Sequence, residues 1–206
     1  AHNQNECDKM LVIQYRSLSV KVLITCWSTH INTDQMSLTP APINVVPTSD
    51  AALNVDVNRL IVVSYNLHGF NQGIVGINEI ISTISPDVIA LQEHWLSPDS
   101  LNKLSDVSNN YFMCGSSSMT ACLASGPLVG RPFGGTALLI RKELINHTVN
   151  LVSNDRFTAV LIHNYLVLNA YMPCVGTFER LNLYSDILDE IQAIIDSHIN
   201  CDVIFC

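Results

Sequence analysis

From Leu60 onward the chain alternates short apolar runs with amphipathic stretches. Leu60-Ile61-Val62-Val63-Ser64-Tyr65 is short and β-branched, which predicts a buried strand. After Gly69 and Gly73, the residues Ile77, Ile80, Ile81 and Ile84 recur at the i, i+3, i+4, i+7 spacing of a helix that Pro86 ends. Val88-Ile89-Ala90-Leu91 reads as a second buried strand. A strand, helix, strand succession requires a right-handed crossover between parallel strands, whose carboxyl ends then face one side of the sheet. Asn66 and Glu93, each just past a strand, are therefore expected at a common rim.

Further along, the pattern predicts a helix near Ser100 to Val107, a strand from Tyr111 to Cys114 and a Ser/Gly/Pro loop from Gly115 to Pro132. Gly134-Gly135 opens a strand from Thr136 to Arg141, the glycines allowing backbone angles that other residues avoid. Apolar stretches at Thr148 to Val152, Phe157 to Ile162 and Leu166 to Tyr171, joined by short polar turns, extend this into an antiparallel meander. Phe178, Leu181, Tyr184, Ile187, Leu188, Ile191, Ile194 and Ile195 then mark a long amphipathic helix with Thr177 as its cap, and Asp202 to Cys206 begins a buried strand. Residues 1–58 differ. They hold a polar stretch, Ser28 to Asp50, with Pro40, Pro42 and Pro47, so they are read as an unassigned segment and linker outside a domain that occupies 59–206.

Composition narrows the class. With 206 residues, 48% hydrophobic and 14% charged, the chain has material for one core and is neither charge-rich disorder nor a basic tail. Its net charge is −8, and residues 60–206, with 6 Lys+Arg against 13 Asp+Glu, carry −7 of it. Seven cysteines without a CxxC pair read as reduced thiols of an intracellular protein, nuclear or cytoplasmic. The apolar run from Met10 to Trp27 is broken by Arg16 and Lys21, so no membrane helix and no secretory signal is assigned, and the sequon at Asn146 is read as chance. A chain opening on Ala1 reads as a fragment or processed product.

Three strings lie at strand ends: Ser64-Tyr65-Asn66-Leu67-His68-Gly69, Leu91-Gln92-Glu93-His94-Trp95 and Leu168-Asn169-Ala170-Tyr171-Met172-Pro173. An amide, a carboxylate and a phenol converging there suit metal-assisted phosphoryl chemistry, because a carboxylate binds a hard divalent ion and neutral donors hold phosphate oxygens. In this order the strings resemble the endonuclease/exonuclease/phosphatase superfamily. Gly130-Arg131-Pro132-Phe133-Gly134-Gly135-Thr136 and Asn169-Ala170-Tyr171-Met172-Pro173-Cys174 are most similar to the endonuclease domains of non-LTR retrotransposons, related to apurinic endonucleases.

The resemblance spans Leu60 to Cys206 and implies an α/β fold, the N-terminal part of a four-layer sandwich. It implies Asn66, Glu93 and Tyr171 as catalytic residues, Glu93 and Asn66 as holders of Mg²⁺ or Mn²⁺, and Arg156 as a contact for substrate phosphate. The expected parent activity is nicking of DNA by metal-dependent phosphodiester hydrolysis. The family's Gly-Asp-x-Asn string and later Asp-His pair have no counterpart here, so the chain is read as a C-terminally truncated fragment, inactive alone. The alternatives are a phosphodiesterase of the same superfamily acting on lipid or inositol phosphates, and a decayed non-catalytic remnant. A net −7 argues against tight non-specific DNA binding, though a bound cation offsets carboxylates locally.

His68 and His94 are left as rim or surface residues, His198 is given no role, and Asp186, Asp189 and Glu190 are placed on the solvated side of the long helix. Because the proline-containing segment offers little apolar surface to bury, limited proteolysis is expected to remove residues 1–58 first. Survival of the Ser28 to Asp50 stretch while the remainder is digested would overturn that boundary.

Overall fold

The computed structural model describes residues 60–206, together with the backbone of a two-residue antiparallel pairing between β1 (Arg16–Ser17) and β2 (Val20–Lys21). The linker and domain boundary expected within residues 1–58 lie outside the described residues.

The first sheet joins β3 (Val62–Asn66), β4 (Val88–Gln92), β5 (Tyr111–Ser116) and β6 (Thr136–Arg141) in the order β3-β4-β6-β5. β3 and β4 are parallel, linked through α1 (Phe70–Thr83), as the crossover requires. The second sheet joins β7 (Thr148–Ser153), β8 (Phe157–Ile162), β9 (Tyr165–Ala170) and β10 (Asp202–Phe205) in the order β10-β9-β8-β7, with α4 (Arg180–Ser197) between β9 and its parallel neighbour β10.

Strand alternation sorts side chains into three apolar layers. Val62, Val88, Ala90, Leu138 and Ile140 from the first sheet meet Val160, Ile162, Tyr165 and Val167 from the second. On the outer face of the first sheet, Val63, Tyr65, Ile89, Leu91 and Leu139 pack on Ile77 and Ile80 of α1. On the outer face of the second, Phe157, Ala159, Leu166 and Leu168 pack on Ile187 and Ile191 of α4. Helix, sheet, sheet, helix is the four-layer α/β arrangement expected.

Several local expectations are corrected. The meander comprises only β7, β8 and β9, because β6 pairs antiparallel with β4 and β5 in the other sheet. The loop after β5 contains a short helix, α3 (Thr120–Ala124), and the helix near Ser100 is split into a 3-10 turn at Pro98–Ser100 and α2 (Asn102–Ser105). Thr177 does not cap α4. The helix starts after Glu179, whose backbone is left-handed at φ 49, and Arg180 Nε donates to the Pro173 carbonyl at 3.0 Å. Phe178 and Leu181 consequently face solvent. β10 lies at the edge of its sheet, so of its four residues only Ile204 is buried.

Toward the carboxyl ends of the strands the layer between the sheets turns polar while staying buried. Asn169 of β9, fully buried, donates through Nδ2 to the carbonyls of Leu91 and Ala137, both at 2.9 Å, and accepts from Gln92 Nε2 at 2.5 Å. Gln92 also donates to Ser64 Oγ at 3.1 Å, and the hydroxyls of Thr136 and Thr158 meet across the gap at 3.0 Å. One amide thus fastens the second sheet to two strands of the first.

Replacing Asn169 with leucine removes three buried hydrogen bonds, leaving Gln92 its bond to Ser64 Oγ and taking a donor from the carbonyls of Leu91 and Ala137, and a buried group's lost partner costs about 1–3 kcal/mol. We expect the domain to lose about 2–4 kcal/mol of unfolding free energy in denaturant titration. A loss below about 1 kcal/mol would show that the sheets do not depend on this bridge.

Candidate active site

β3 and β4 run in parallel register with Asn66 opposite Gln92, so the chain delivers Asn66 and the next residue, Glu93, to one edge. Asn66 Nδ2 donates to Glu93 Oε1 at 2.8 Å, and Asn66 Oδ1 accepts the backbone N–H of His68 at 3.0 Å. The amide is thereby fixed in orientation. Glu93 is the sheltered partner, its side chain 16% exposed, whereas His68 is 74% exposed with Nδ1 3.7 Å from Glu93 Oε2.

The two loops carrying these residues are laced together. Leu67 N–H donates to the Gln92 carbonyl, Gly69 N–H to that of Glu93 and Phe70 N–H to that of His94, at 2.8–2.9 Å. Three residues in them, His68 at φ 52, Glu93 at φ 54 and Trp95 at φ 55, occupy the left-handed region that side chains ordinarily avoid. The lacing holds them there.

His94 corrects the reading of it as a rim residue, for it is fully buried. The reversed backbone on either side turns its ring inward, where Nδ1 accepts from Leu96 N–H at 3.0 Å and Nε2 lies 3.1 Å from the Ser116 carbonyl. An acceptor at Nδ1 and a donor at Nε2 define the neutral tautomer, and burial lowers the pKa in the same sense. The ring fills the space a Cβ on Gly135 would need, so that position, at φ +91, requires glycine on two counts.

Tyr171 and Arg156 come from the second sheet. Tyr171 N–H donates to the Arg156 carbonyl at 2.8 Å, placing the residue before β8 beside the residue after β9. Asn154 Oδ1 accepts from the backbone N–H groups of Arg156 and Phe157, both at 2.9 Å, and shapes the turn. The Tyr171 phenol is pushed up to about 12, by burial first, then by the charge of Glu93 and of Cys174 and a hydrogen bond to Glu93, with Arg156 opposing. All four expected residues therefore gather at one rim above the gap between the sheets.

Residues not singled out from the sequence support them. Ser118, buried, accepts from Gly135 N–H at 2.7 Å and donates to the Asp155 carbonyl at 2.5 Å, tying the glycine-opened strand to the turn that carries Arg156. Asp186, Asp189 and Glu190 are exposed on α4, as expected. Arg141, by contrast, is engaged at the amino end of β4, where it meets Asp87 at 3.7 Å and the Pro86 carbonyl at 3.0 Å. None of the five described cysteines forms a disulfide.

The Glu93 carboxylate and Asn66 Oδ1 are hard oxygen donors of the kind Mg²⁺ and Mn²⁺ take, and Mg²⁺ keeps several of its waters while accepting one or two carboxylates. The donor chemistry fits such an ion. Among the described residues no group of three or more His, Cys, Asp or Glu side chains is placed to hold a metal, so water or substrate oxygens would have to complete the coordination. No described helix is long and apolar enough to cross a membrane.

Two solved structures share the fold. A 3′ phosphatase NExo from Neisseria, bound to a product DNA hairpin, superimposes with a TM-score of 0.51 at 12% identity, over 70% of this chain and 55% of that one. An AP endonuclease from Archaeoglobus fulgidus does so with a TM-score of 0.50 at 15% identity, over the same shares. The chain thus spans about half the length of each. No curated protein matches it. The sequence profile of the Endonuclease/Exonuclease/phosphatase family matches residues 63–195, from the second residue of β3 to near the end of α4. Two facing sheets flanked by helices, with strand ends delivering an amide and a carboxylate to one edge, are what that match covers, and the chain belongs to the Endonuclease/Exonuclease/phosphatase family.

Proposed function

We propose that this domain hydrolyses phosphodiester bonds in DNA, as a nicking endonuclease of the retrotransposon type working with Mg²⁺ or Mn²⁺. The observation that carries the reading is the contact between Asn66 and Glu93 at 2.8 Å, made from two strands of one sheet, with the Tyr171 phenol of the other sheet hydrogen-bonded to the same carboxylate. In this reading Glu93 and Asn66 Oδ1 hold the ion, and Arg156 meets a phosphate oxygen. When bound, the ion stabilises negative charge gathering on the phosphate.

Each residue's part follows from its surroundings. Tyr171, with its pKa near 12, keeps the proton on Oη throughout the neutral range and acts as a donor to a phosphate oxygen rather than as a base. Asn66 is pinned at both ends of its amide, so it needs no reorganisation as charge develops. His94 stays neutral and shapes the loop that presents Glu93. We assign none of these residues as the base for an attacking water, and the chain on its own is read as slow or inactive.

Metal binding is therefore the first measurement. Titration of Mn²⁺ followed by electron paramagnetic resonance should show one weak site in the full chain, lost in Glu93→Ala. An unchanged isotherm in Glu93→Ala would overturn the site.

The phenol supplies a second test. A folded-state pKa raised from 10.0 to about 12 favours the neutral form, so its contribution to stability is present below pH 10 and is lost as the pH rises toward 12. Stability should fall more steeply across that window in the wild type than in Tyr171→Phe. Glu93→Gln should bring the Tyr171 ionisation down, read as the tyrosinate absorbance that Tyr171→Phe lacks. If Glu93→Gln leaves that absorbance unmoved, the phenol and the carboxylate do not interact as described.

A further inference from the structure

A cleft of about 370 Å³ opens beside the site, between the loops that follow β3 and β4 and the segment after β5. Its size lies in the roughly 300–1,000 Å³ range of small-molecule sites. Phe70, Trp95 and Met119 line it with aromatic and apolar surface, and Asn71, Gln72 and Lys103 add two amides and a cation.

Trp95 is preset. Its Cε3 lies 2.7 Å from where a Cβ on Gly69 would stand, so only a glycine there admits the indole. The His68 ring packs on it at 5.1 Å between centroids, and that same imidazole reaches to 3.7 Å from Glu93. On the other flank, the Gly134 carbonyl accepts the backbone N–H of Trp95 at 3.0 Å, and the position of Gly134's absent Cβ is 3.8 Å from Tyr171 Cδ1. His68 thus stands between the indole and the Glu93 carboxylate, and the Trp95 backbone is tied to the glycine that adjoins the Tyr171 ring.

Resting on the phosphodiesterase reading, we propose that this cleft takes one unstacked nucleotide of a single-stranded nucleic acid. Its base lies against Trp95 and Phe70 and a phosphate beside Lys103, while the adjoining phosphodiester reaches the Asn66–Glu93 rim. Electrostatics select this occupant. Residues 60–206 carry a net −7, which repels a polyanion, so the grip has to come from stacking rather than from phosphate attraction. An inositol polyphosphate needs several cations, and Lys103 is the only lysine or arginine among the described lining residues. An acyl chain has no use for the lysine or the two amides. A base uses each: an apolar face for its ring, amides for its edge and a cation for the phosphate.

The test uses the full chain carrying Trp27→Phe, which leaves Trp95 as the one indole of the two in the sequence. Fluorescence is followed during titration with oligothymidylate, with an abasic strand of equal length, or with inositol hexakisphosphate. Oligothymidylate should quench Trp95 and bind at least tenfold tighter than the abasic strand. Gln72→Phe, at an exposed helical position that fills the cleft mouth, should remove that difference without altering abasic binding. Lys103→Glu, also exposed, should weaken both strands. Glu93→Ala should keep the base-dependent quench, so an Mn²⁺ isotherm left unchanged in that variant, with the quench intact, would overturn the catalytic reading alone. Equal binding of the two strands, a base preference unchanged by Gln72→Phe, or a comparable quench by inositol hexakisphosphate would each overturn the proposal.

Discussion

Asn169 is the constraint from which the arrangement of the site follows. Its side chain satisfies carbonyls of β4 and β6 and takes the Gln92 amide, so the second sheet can meet the first in one register only. A slip of β9 by one residue would turn Asn169 toward α4 and break all three of these bonds within a buried layer. Two residues beyond, Tyr171 continues from the same strand, and one residue beyond Gln92 comes Glu93. The bridge therefore sets the meeting of phenol and carboxylate, although Asn169 itself is sealed from solvent.

The same alternation explains the change in the inter-sheet layer from apolar to polar. Val88 and Ala90 precede Gln92 on one face of β4, and Tyr165 and Val167 precede Asn169 on one face of β9. Hydrocarbon packing supplies cohesion at the amino ends of β3 and β4, and hydrogen bonds supply registration near the site. A wholly apolar layer would hold the sheets together with less control over their offset.

Much of this is legible in the chain. Periodicity gives α1, α4 and nearly every strand, and the strand, helix, strand logic brings Asn66 beside Glu93. What periodicity misses depends on contacts distant in sequence. Nothing local says that β6 inserts between β4 and β5, because its run of Thr136 to Arg141 would suit either sheet. His94 was indistinguishable from a surface histidine, since its burial follows from the reversed backbone around it and from the missing side chain of Gly135. Asn169 sat in plain view within the string that names Tyr171, and its parity with Tyr165 and Val167 was the available sign that it points between the sheets. The cap of α4 failed because Arg180 fastens to Pro173 and starts the helix later than its apolar pattern does.

The left-handed backbone at Glu93 bears on how such a gene ages. A side chain held at φ 54 costs of order 1–3 kcal/mol, and a glycine there would escape it. The proposed role of Glu93 in hydrolysis would oppose that exchange; selection on folding alone rewards it. Were that proposed role relaxed, the carboxylate would be among the first residues that drift could remove with a gain in stability, leaving the fold intact. Loss of Glu93 in an otherwise intact sequence would then record relaxed selection on catalysis rather than decay of the fold.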